Sequence, residues 1–360
     1  MNITLKKNSD NMEDFMARFK TMLAGVTLSA TLAAGTAALA AEVNIYSYRQ
    51  PELIQPLLDA FTKETGIDTN VLFLDKGLVE RIQAEGANSP ADVILTVDIG
   101  RLVEAKDGGV TQPLSNEIVN KDIPAQYRDP EGQWFGLTTR GRVVYASKER
   151  VSDTAITYEE LADPKWKGKI CIRDGQHSYN IGLFASMIAH HGADYTETWL
   201  RGFKENLARK PDGNDRSQAK AIMSGECDIA LGNTYYVGLM LTNEKEPQEK
   251  EWAAAIKILF PNAADRGSHV NISGMALARN APNKDSAVKL MEYLSSGKAQ
   301  QIYAEQVFEY PVLPGAEPSE IVKSFGAIKP DTLSFADIAA NRKLASELVD
   351  KVGLNDGPSM

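Results

Sequence analysis

The sequence predicts an α/β protein of two lobes, in which two mixed sheets flanked by helices are joined by hinge strands. Three observations favour this class. Strand-like and helix-like segments alternate along most of the chain, and 360 residues exceed what one hydrophobic core usually serves. No Pro- or Gly-rich linker separates the halves. A chain that crosses between its lobes through strands suits a hinged clamp.

The first forty residues have the features of a secretory signal peptide. Basic Arg18 and Lys20 precede a run of small and apolar residues, 22–40, which ends in Ala-Leu-Ala. A basic start, an apolar centre and small residues at the end are typical of exported chains. The run holds too few bulky apolar residues to favour a permanent membrane span. We therefore expect residues 1–40 to direct export and to be removed.

The mature chain opens with a β-α-β-α-β rhythm. A proline at the start of the first helix and a glycine after its end mark the helix boundaries. The predicted elements are, in order, strand 43–48, a helix from Pro51 to Gly66, strand 71–74, helix 77–84, strand 92–97 and a helix from Gly100. This rhythm predicts a mostly parallel sheet, and ligands of such sheets bind beyond the carboxyl ends of the strands.

After two further predicted strands, the alternation of strands and helices begins again. The remaining predicted elements are strands 134–139, 142–147 and 169–172, helices 180–189, 195–207 and 217–224, strands 228–230, 256–260 and 271–278, and helices 284–294, 299–303 and 335–352. We expect residues 41–139 and 275–315 to form the first lobe and residues 140–274 and 316–360 the second. The lobe that holds the C-terminal tail stays open.

Composition excludes several classes of protein. The net charge of −9 and the pI of about 5.2, without a basic run, argue against nucleic-acid binding. Two cysteines and four histidines are too few for a Cys-rich zinc or iron–sulfur site. The spacings that identify common hydrolases, metalloproteases and P-loop enzymes do not occur. The sequence therefore favours a binding protein over an enzyme.

Cys171 and Cys227 both lie in or beside strand-like segments that could be neighbours. In an oxidising compartment, one such pair favours a disulfide. A bridge between residues 171 and 227 closes a loop of 56 residues. By the chain-entropy estimate, it contributes roughly 4 kcal/mol to the free energy of unfolding. Two buried free thiols are the alternative.

Three tyrosines follow predicted strands of the second lobe. Tyr179 comes after strand 169–172, and Tyr235 and Tyr236 come after strand 228–230. Adjacent side chains diverge on regular strands and helices, so such a pair shares a target only at an irregular turn. Gly232-Asn233 predicts that turn. The sequence thus predicts that the three phenols meet, with ordinary core or interface packing as the alternative.

Three phenols in one cleft suit a hard trivalent cation. A phenol with a pKa near 10 is a poor general base at neutral pH. A hard cation displaces the proton and keeps the phenolate. Three phenolates balance the charge of Fe³⁺, and oxygen ligands suit hard ions. This chemistry predicts a ferric site at Tyr179, Tyr235 and Tyr236, with about three of six coordination positions left open.

An exogenous anion such as carbonate or bicarbonate would fill two of those open positions. It needs cationic side chains and the free N–H groups of helix starts. Arg49, Arg101 and Arg140 each lie near a predicted strand end, and we expect them to hold this anion. A solvated surface charge is the alternative for each arginine.

From about residue 43 to 352, the chain resembles the bacterial periplasmic ferric-ion-binding proteins, the solute receptors of iron ABC importers. The resemblance rests on residues 44–51, Ser-Pro-Ala-Asp-Val at 89–93, residues 134–140, residues 206–211, Asn-Thr-Tyr-Tyr at 233–236 and Asn-Ile-Ser-Gly at 271–274. The paired tyrosines are the most specific element. The resemblance implies a type II periplasmic-binding-protein fold and a monomer that delivers Fe³⁺ from the periplasm to an inner-membrane permease.

The resemblance also implies which residues bind iron. In the family, the tyrosine pair and one upstream tyrosine are ligands, and these match Tyr235, Tyr236 and Tyr179. Other members add a His or a His-Tyr after the first strand, where this chain reads Arg49-Gln50-Pro51. We therefore expect a site built from the second lobe. The candidates for side chains around the metal are Gln50, His177, Ser178 and Asn180, and it stays open whether Gln50 or Tyr48 touches the site.

A receptor of the same fold for an organic or oxyanion solute is the alternative function. Polyamines, thiamine, phosphonates and sulfate are candidate solutes. The fold alone does not separate these receptors from an iron receptor. An organic-solute receptor would show no visible absorption after iron loading.

Overall fold

The computed structural model describes residues 41–359, so the predicted signal peptide lies outside the described residues. Within this range the strands are β1 (Glu42–Ser47), β2 (Asp68–Phe73), β3 (Val93–Thr96), β4 (Phe135–Ser147), β5 (Ile170–Cys171), β6 (Ile229–Asn233), β7 (Ile256–Leu259), β8 (Val270–Leu277) and β9 (Tyr310–Pro311).

Helices flank these strands. In chain order they are α1 (Pro51–Thr65), α2 (Leu78–Glu85), α3 (Ile99–Asp107), α4 (Glu117–Asp122), α5 (Ser178–His191), α6 (Ala193–Glu205), α7 (Asp215–Met223), α8 (Thr234–Leu241), α9 (Gln248–Ala254), α10 (Lys284–Ser295), α11 (Gly297–Ile302), α12 (Glu320–Ser324) and α13 (Phe335–Val352). A π-helical turn, Tyr303–Val307, follows α11. Within residues 41–359, no helix combines the length and the apolar character that a membrane crossing requires.

The long strand β4 belongs to two sheets. Its first half pairs antiparallel with β8 and β9, and β8 leads on through β3 and β1 to β2. Its second half pairs antiparallel with β6 and β7, and β5 lies beyond β6. The pairs β1–β2, β1–β3 and β5–β6 are parallel. The architecture is α/β with mixed sheets, as the sequence predicts.

One predicted break in the strands is wrong. The sequence predicts separate strands at 134–139 and 142–147, but β4 runs unbroken through Arg140 and Gly141. Arg140 pairs with Asn271 of β8, and Arg142 pairs with Asn233 of β6. The ladder passes from one partner strand to the next without a turn, so a glycine at this point does not end the strand. β4 thereby joins the two sheets.

Helix α1 confirms its predicted boundaries. Pro51 begins it, and Gly66 ends it in the left-handed conformation with φ of 71°. Its buried side chains are Ile54, Leu57, Leu58 and Phe61. They join a core with α10, where the Phe61 and Tyr293 rings lie 5.5 Å apart. A separate and larger core combines buried side chains of α5, α6 and α13 with those of α2 and α3.

The structure confirms the predicted disulfide between Cys171 and Cys227. Their Cα atoms lie 5.9 Å apart, and both side chains are buried. The bridge forms where β5 and β6 run side by side, with Cys171 opposite Ala230 in the parallel ladder. It therefore ties together the two strands that lead to the predicted tyrosines.

Candidate metal centre

Tyr179 lies in the first turn of α5. Helix α5 begins at Ser178, and Nδ1 of His177 accepts a hydrogen bond from the Tyr179 N–H at 3.2 Å. The rings of His177 and Tyr179 meet edge to face, with centroids 4.4 Å apart. This histidine cap orients the first turn, so the phenol is held at the end of the helix where the macrodipole favours negative charge.

Tyr235 and Tyr236 lie in the first turn of α8, directly after β6. Their ring centroids are 4.2 Å apart. The hydroxyl oxygen of Tyr235 lies 3.3 Å from that of Tyr179. The structure thus brings together all three tyrosines that the sequence selects, at the N-termini of two helices.

The predicted Gly-Asn turn before the tyrosine pair does not form. Gly232 and Asn233 are the last residues of β6, and α8 begins at the next residue. The glycine serves close packing instead, because a Cβ at Gly232 would lie 2.2 Å from the ring of Tyr145. The Tyr145 hydroxyl donates to the Asn233 carbonyl at 2.5 Å, which fixes the chain where the strand becomes a helix.

Burial strengthens the preference of the paired phenols for the protonated form, which an ordinary phenol already has at neutral pH. It raises the pKa of Tyr235 well above its ordinary value, and the neighbouring Tyr179 and Tyr236 hydroxyls act in the same direction. Burial, Tyr179 and Asp215 likewise raise the pKa of Tyr236. Ionisation of the two phenols therefore costs free energy unless a cation compensates the negative charge.

A buried ionic network that the sequence did not indicate supports the tyrosines. Asp215 accepts from Arg142 at 2.5 Å, from Arg173 at 2.6 Å and from the Asn233 N–H at 2.9 Å. Although burial opposes its charged form, the two arginines hold the pKa of Asp215 below its ordinary value. The Arg173 guanidinium lies 5.3 Å from the Tyr179 ring centroid. The network carries one net positive charge next to the phenols.

Arg140 is buried beside Tyr179, with its guanidinium 5.8 Å from the ring centroid. Its Nη1 donates to the Ser273 hydroxyl at 2.8 Å. Its Nε and Nη2 have no hydrogen-bond partner within the described residues. Unpaired buried donors are costly, so these two N–H groups are suited to an anion that comes from outside the chain.

Arg49 already has an anionic partner inside the protein. Its Nη2 lies 2.9 Å and 3.1 Å from the two carboxylate oxygens of Glu309, and both side chains are almost fully buried. Arg49 also donates to Ser273. The sequence did not select Glu309, because a lone glutamate between two aromatic residues carries no recognisable spacing.

Arg101 is occupied at a different place. Its guanidinium stacks 3.7 Å from the ring centroid of Tyr48, and its Nη2 donates to the Asp75 carbonyl at 3.0 Å. The Tyr48 hydroxyl in turn accepts from the Leu78 N–H. Of the three arginines predicted to hold an anion, Arg140 is the one that keeps two unpaired donors in the part of the chain that the structure describes.

The four side chains expected around the metal differ in their surroundings. Burial and the nearby Arg173 lower the pKa of His177 to about 3, so this ring is neutral at neutral pH. Asn180 is buried, and its side-chain oxygen accepts from Arg142 at 2.6 Å. Ser178 starts α5 and accepts from Arg342 through its carbonyl. Gln50 is exposed and lines the cavity beside the tyrosine pair.

That cavity has a volume of about 380 Å³. One wall is the start of α1 with Gln50, and the other is formed by α8 with Tyr235 and Tyr236. Arg216 also lines it, with its guanidinium 5.0 Å from the Tyr236 ring centroid. The cavity therefore borders the tyrosine pair, whereas Tyr179 is not among the residues that line it.

The potential metal ligands at this site are the phenol oxygens of the three tyrosines. Among residues 41–359, no group of three or more His, Cys, Asp and Glu side chains is arranged to hold a metal ion. Three phenol oxygens with surrounding guanidinium groups suit a hard cation that travels with an anion.

Comparison with known proteins gives several close relatives. The chain is 44% identical over 315 residues to iron uptake protein A1 of Synechocystis, covering 87% of each chain. It is 29% identical over 343 residues to the major ferric iron-binding protein of Neisseria meningitidis, covering 93% of this chain and 99% of the relative. These relatives are binding and transport proteins, and the chain is a binding protein rather than an enzyme.

Solved structures agree with this relationship. The apo ferric ion-binding protein A of Pasteurella haemolytica is 52% identical, with a TM-score of 0.84 over 88% of this chain and 99% of that chain. A Trichodesmium protein in complex with iron and citrate is 44% identical, with a TM-score of 0.82 over 87% and 99%. The fold is that of type II periplasmic binding proteins, and residues 88–329 match the model of the bacterial extracellular solute-binding proteins. The chain belongs to this family.

Proposed function

We propose that this protein captures Fe³⁺ through the phenolates of Tyr179, Tyr235 and Tyr236 together with a carbonate or bicarbonate ion. It does so in the periplasm and delivers the iron to the permease of an inner-membrane ABC importer. The observation that carries the proposal is the 3.3 Å between the Tyr179 and Tyr235 hydroxyl oxygens, with the Tyr236 ring 4.2 Å from that of Tyr235.

The charges at the site support a trivalent ion. Because burial raises the pKa of Tyr235 and Tyr236, weak cations do not displace their protons. Fe³⁺ has the charge to do so, and three phenolates then neutralise it. The helix starts at α5 and α8 stabilise phenolate oxygens further, since the helix macrodipole is positive there.

The unpaired donors of Arg140 support the anion. A carbonate-type ion that accepts from Nε and Nη2 would satisfy both buried N–H groups and turn its other oxygens toward the metal. Both donor atoms are out of contact with solvent in this structure. The anion therefore enters while the lobes are apart, and closure buries it with the iron.

The names of the relatives support iron as the cargo. They include an iron uptake protein, a ferric iron-binding protein and a structure that contains iron and citrate. Delivery would follow from lobe opening at the permease. Acid favours release because protons compete for the phenolates, and reduction favours it because Fe²⁺ binds phenolate more weakly.

Iron loading tests the proposal directly. We expect the purified protein, mixed with ferric nitrilotriacetate and bicarbonate and then desalted, to retain one iron per chain and a visible phenolate-to-iron absorption band. Tyr235→Phe should lose most of the bound iron and most of the absorption band. A wild-type protein that is colourless and iron-free after this treatment contradicts the proposal. Loading with Mg²⁺ in place of iron is the control for non-specific metal retention.

A further inference from the structure

Glu309 lies at the centre of a buried junction between distant parts of the chain. Its carboxylate accepts from Arg49 after β1, from Thr138 of β4 and from Ser273 of β8. Its side chain is 1% exposed. Although burial alone would raise its pKa, Arg49 and Arg140 hold that pKa below the ordinary value. Glu309 is thus a fixed negative charge beside the candidate metal centre.

At this junction, the hydroxyl of Ser273 uses all of its hydrogen-bonding positions. Ser273 Oγ accepts from Arg49 and from Arg140 and donates to Glu309 at 3.1 Å. A serine hydroxyl has one donor and two acceptor positions. The orientation of Arg140 is therefore set through Ser273 by the ion pair of Arg49 and Glu309.

The same segment contacts the helix that carries the tyrosine pair. Phe308 follows the π-helical turn and has a left-handed φ of 59°, which is unusual for a bulky residue. Its ring packs on Gly238 of α8 so closely that a Cβ there would lie 2.3 Å from Cγ of the ring. This contact connects the segment that carries Glu309 to helix α8, which carries Tyr235 and Tyr236.

We propose that Glu309 is a positioning residue that determines which anion accompanies the iron. The proposal rests on the proposed function above. Glu309 neutralises Arg49, so of the two arginines that bind Ser273, Arg140 is the one left with an uncompensated charge and with free donors for the anion. One guanidinium favours a small anion of low charge, such as bicarbonate, over phosphate, which carries up to two charges at neutral pH. Without Glu309, Arg49 would add a second cation and improve binding of the doubly charged anion.

Charge-changing variants test this inference. Each protein is loaded with iron from nitrilotriacetate in competition, with either bicarbonate or phosphate as the added anion. The ratio of the two apparent iron affinities is the measured quantity. For Glu309→Gln, we expect this ratio to shift about tenfold toward phosphate, as one added unit charge would produce in a partly buried site.

Matched variants separate charge from structure. Glu305→Gln removes a charge from an exposed glutamate of the same segment, and we expect it to keep the wild-type ratio. The double variant R49M/E309Q removes both charges and should return the ratio to the wild-type value. Arg49→Gln, which leaves Glu309 uncompensated, should shift the ratio away from phosphate, and this direction is measurable even if Glu309→Gln does not fold.

Two results would overturn the inference. One is a wild-type ratio in Glu309→Gln or in Arg49→Gln, even if the melting temperature falls. The other is a shift that persists in R49M/E309Q. The wild-type protein separates this failure from that of the proposed function, because a wild-type protein that binds iron while the variants keep its anion preference refutes only the role of Glu309.

Discussion

The hydroxyl oxygens of Tyr179 and Tyr235 lie 3.3 Å apart, although 56 positions separate the two residues in the chain. The same separation of 56 joins Cys171 and Cys227 in the disulfide. Each tyrosine therefore follows its cysteine by the same number of residues. The parallel strands β5 and β6 are linked by the disulfide. Each of them leads into a helix, α5 or α8, whose first turn carries one of the two tyrosines. The meeting of the phenols follows from this matched spacing.

Removal of one hydroxyl from this pair should weaken iron binding. For Tyr179→Phe we expect a loss of at least about a hundredfold in iron affinity, because changes in groups that only support metal ligands already cost 10- to 100-fold. Competition with nitrilotriacetate measures the loss. Tyr195→Phe is the control, since that tyrosine is 43% exposed and belongs to α6, which carries none of the three tyrosines of the site. Equal affinity of Tyr179→Phe and wild type would exclude Tyr179 as a ligand.

Iron binding should release protons from the phenols. Burial and Tyr179 raise the pKa of Tyr236, so this group is protonated at pH 7 before iron binds and ionised afterwards. We expect Tyr236→Phe to release about one proton fewer per iron than wild type when both are loaded in weakly buffered solution and titrated back to the starting pH. The apparent affinity should fall as pH falls, because protons compete with the metal. Equal proton release would contradict ionisation of Tyr236.

The disulfide should support both stability and the site. Cys171→Ala with Cys227→Ala is expected to lower the free energy of unfolding by about 4 kcal/mol, since the bridge closes a long loop. Iron affinity should fall as well, because the two helix starts would be held less firmly. Urea unfolding and iron competition measure the two effects. A variant with reduced stability and unchanged affinity would separate the bridge from the site.

Sequence reasoning predicted what depends on local pattern. Helix α1 with its proline start and glycine end, the disulfide and most of the strands follow from spacing and residue type. The predicted elements omit the short helices α4, α8, α9 and α12 and strand β9. The unbroken course of β4 does not follow in this way, because the pattern predicts two strands, 134–139 and 142–147, and only the partner strands decide that the ladder continues between them. The predicted turn at Gly232 failed for a related reason, since the ring that requires a glycine there comes from a distant residue of β4.

The charged partners of the site were likewise beyond sequence reasoning. Arg49 lies near a strand end and was predicted to bind an anion, but its ion pair with Glu309 joins residues 260 positions apart. Asp215 accepts from Arg142 across 73 positions. Single charged residues carry no periodic signal, so their pairing is set by tertiary packing that one sequence does not reveal.

Arg140 and Arg101 should differ in their effect on the anion. Arg140→Gln removes two unpaired buried donors beside Tyr179, and we expect the dependence of iron affinity on bicarbonate to disappear. Arg101→Gln should keep that dependence, because this side chain stacks on Tyr48 and bonds to Asp75. Iron competition at low and high bicarbonate measures it, and circular dichroism confirms folding. A bicarbonate dependence that survives in Arg140→Gln would exclude this arginine as the anion partner.

The contact between Gly232 and Tyr145 should also control the tyrosine pair. In Gly232→Ala the added methyl would meet the Tyr145 ring at 2.2 Å, so the ring and the Asn233 carbonyl that it binds must shift. Overpacking of this kind costs about 1–3 kcal/mol, and the shift reaches Tyr235 two residues later. We expect lower stability in thermal unfolding and weaker iron binding.

Two matched variants test whether the effect of the added methyl comes from its clash with the Tyr145 ring. Gly297→Ala is the control, since its nearest neighbour would lie 3.6 Å away in ordinary contact, and it should leave iron affinity and stability nearly unchanged. The double variant G232A/Y145L makes room for the methyl and should recover part of the lost iron affinity, although the hydrogen bond to Asn233 is missing. Full iron affinity in Gly232→Ala alone would show that the strand end tolerates the shift and that Tyr145 does not position the pair.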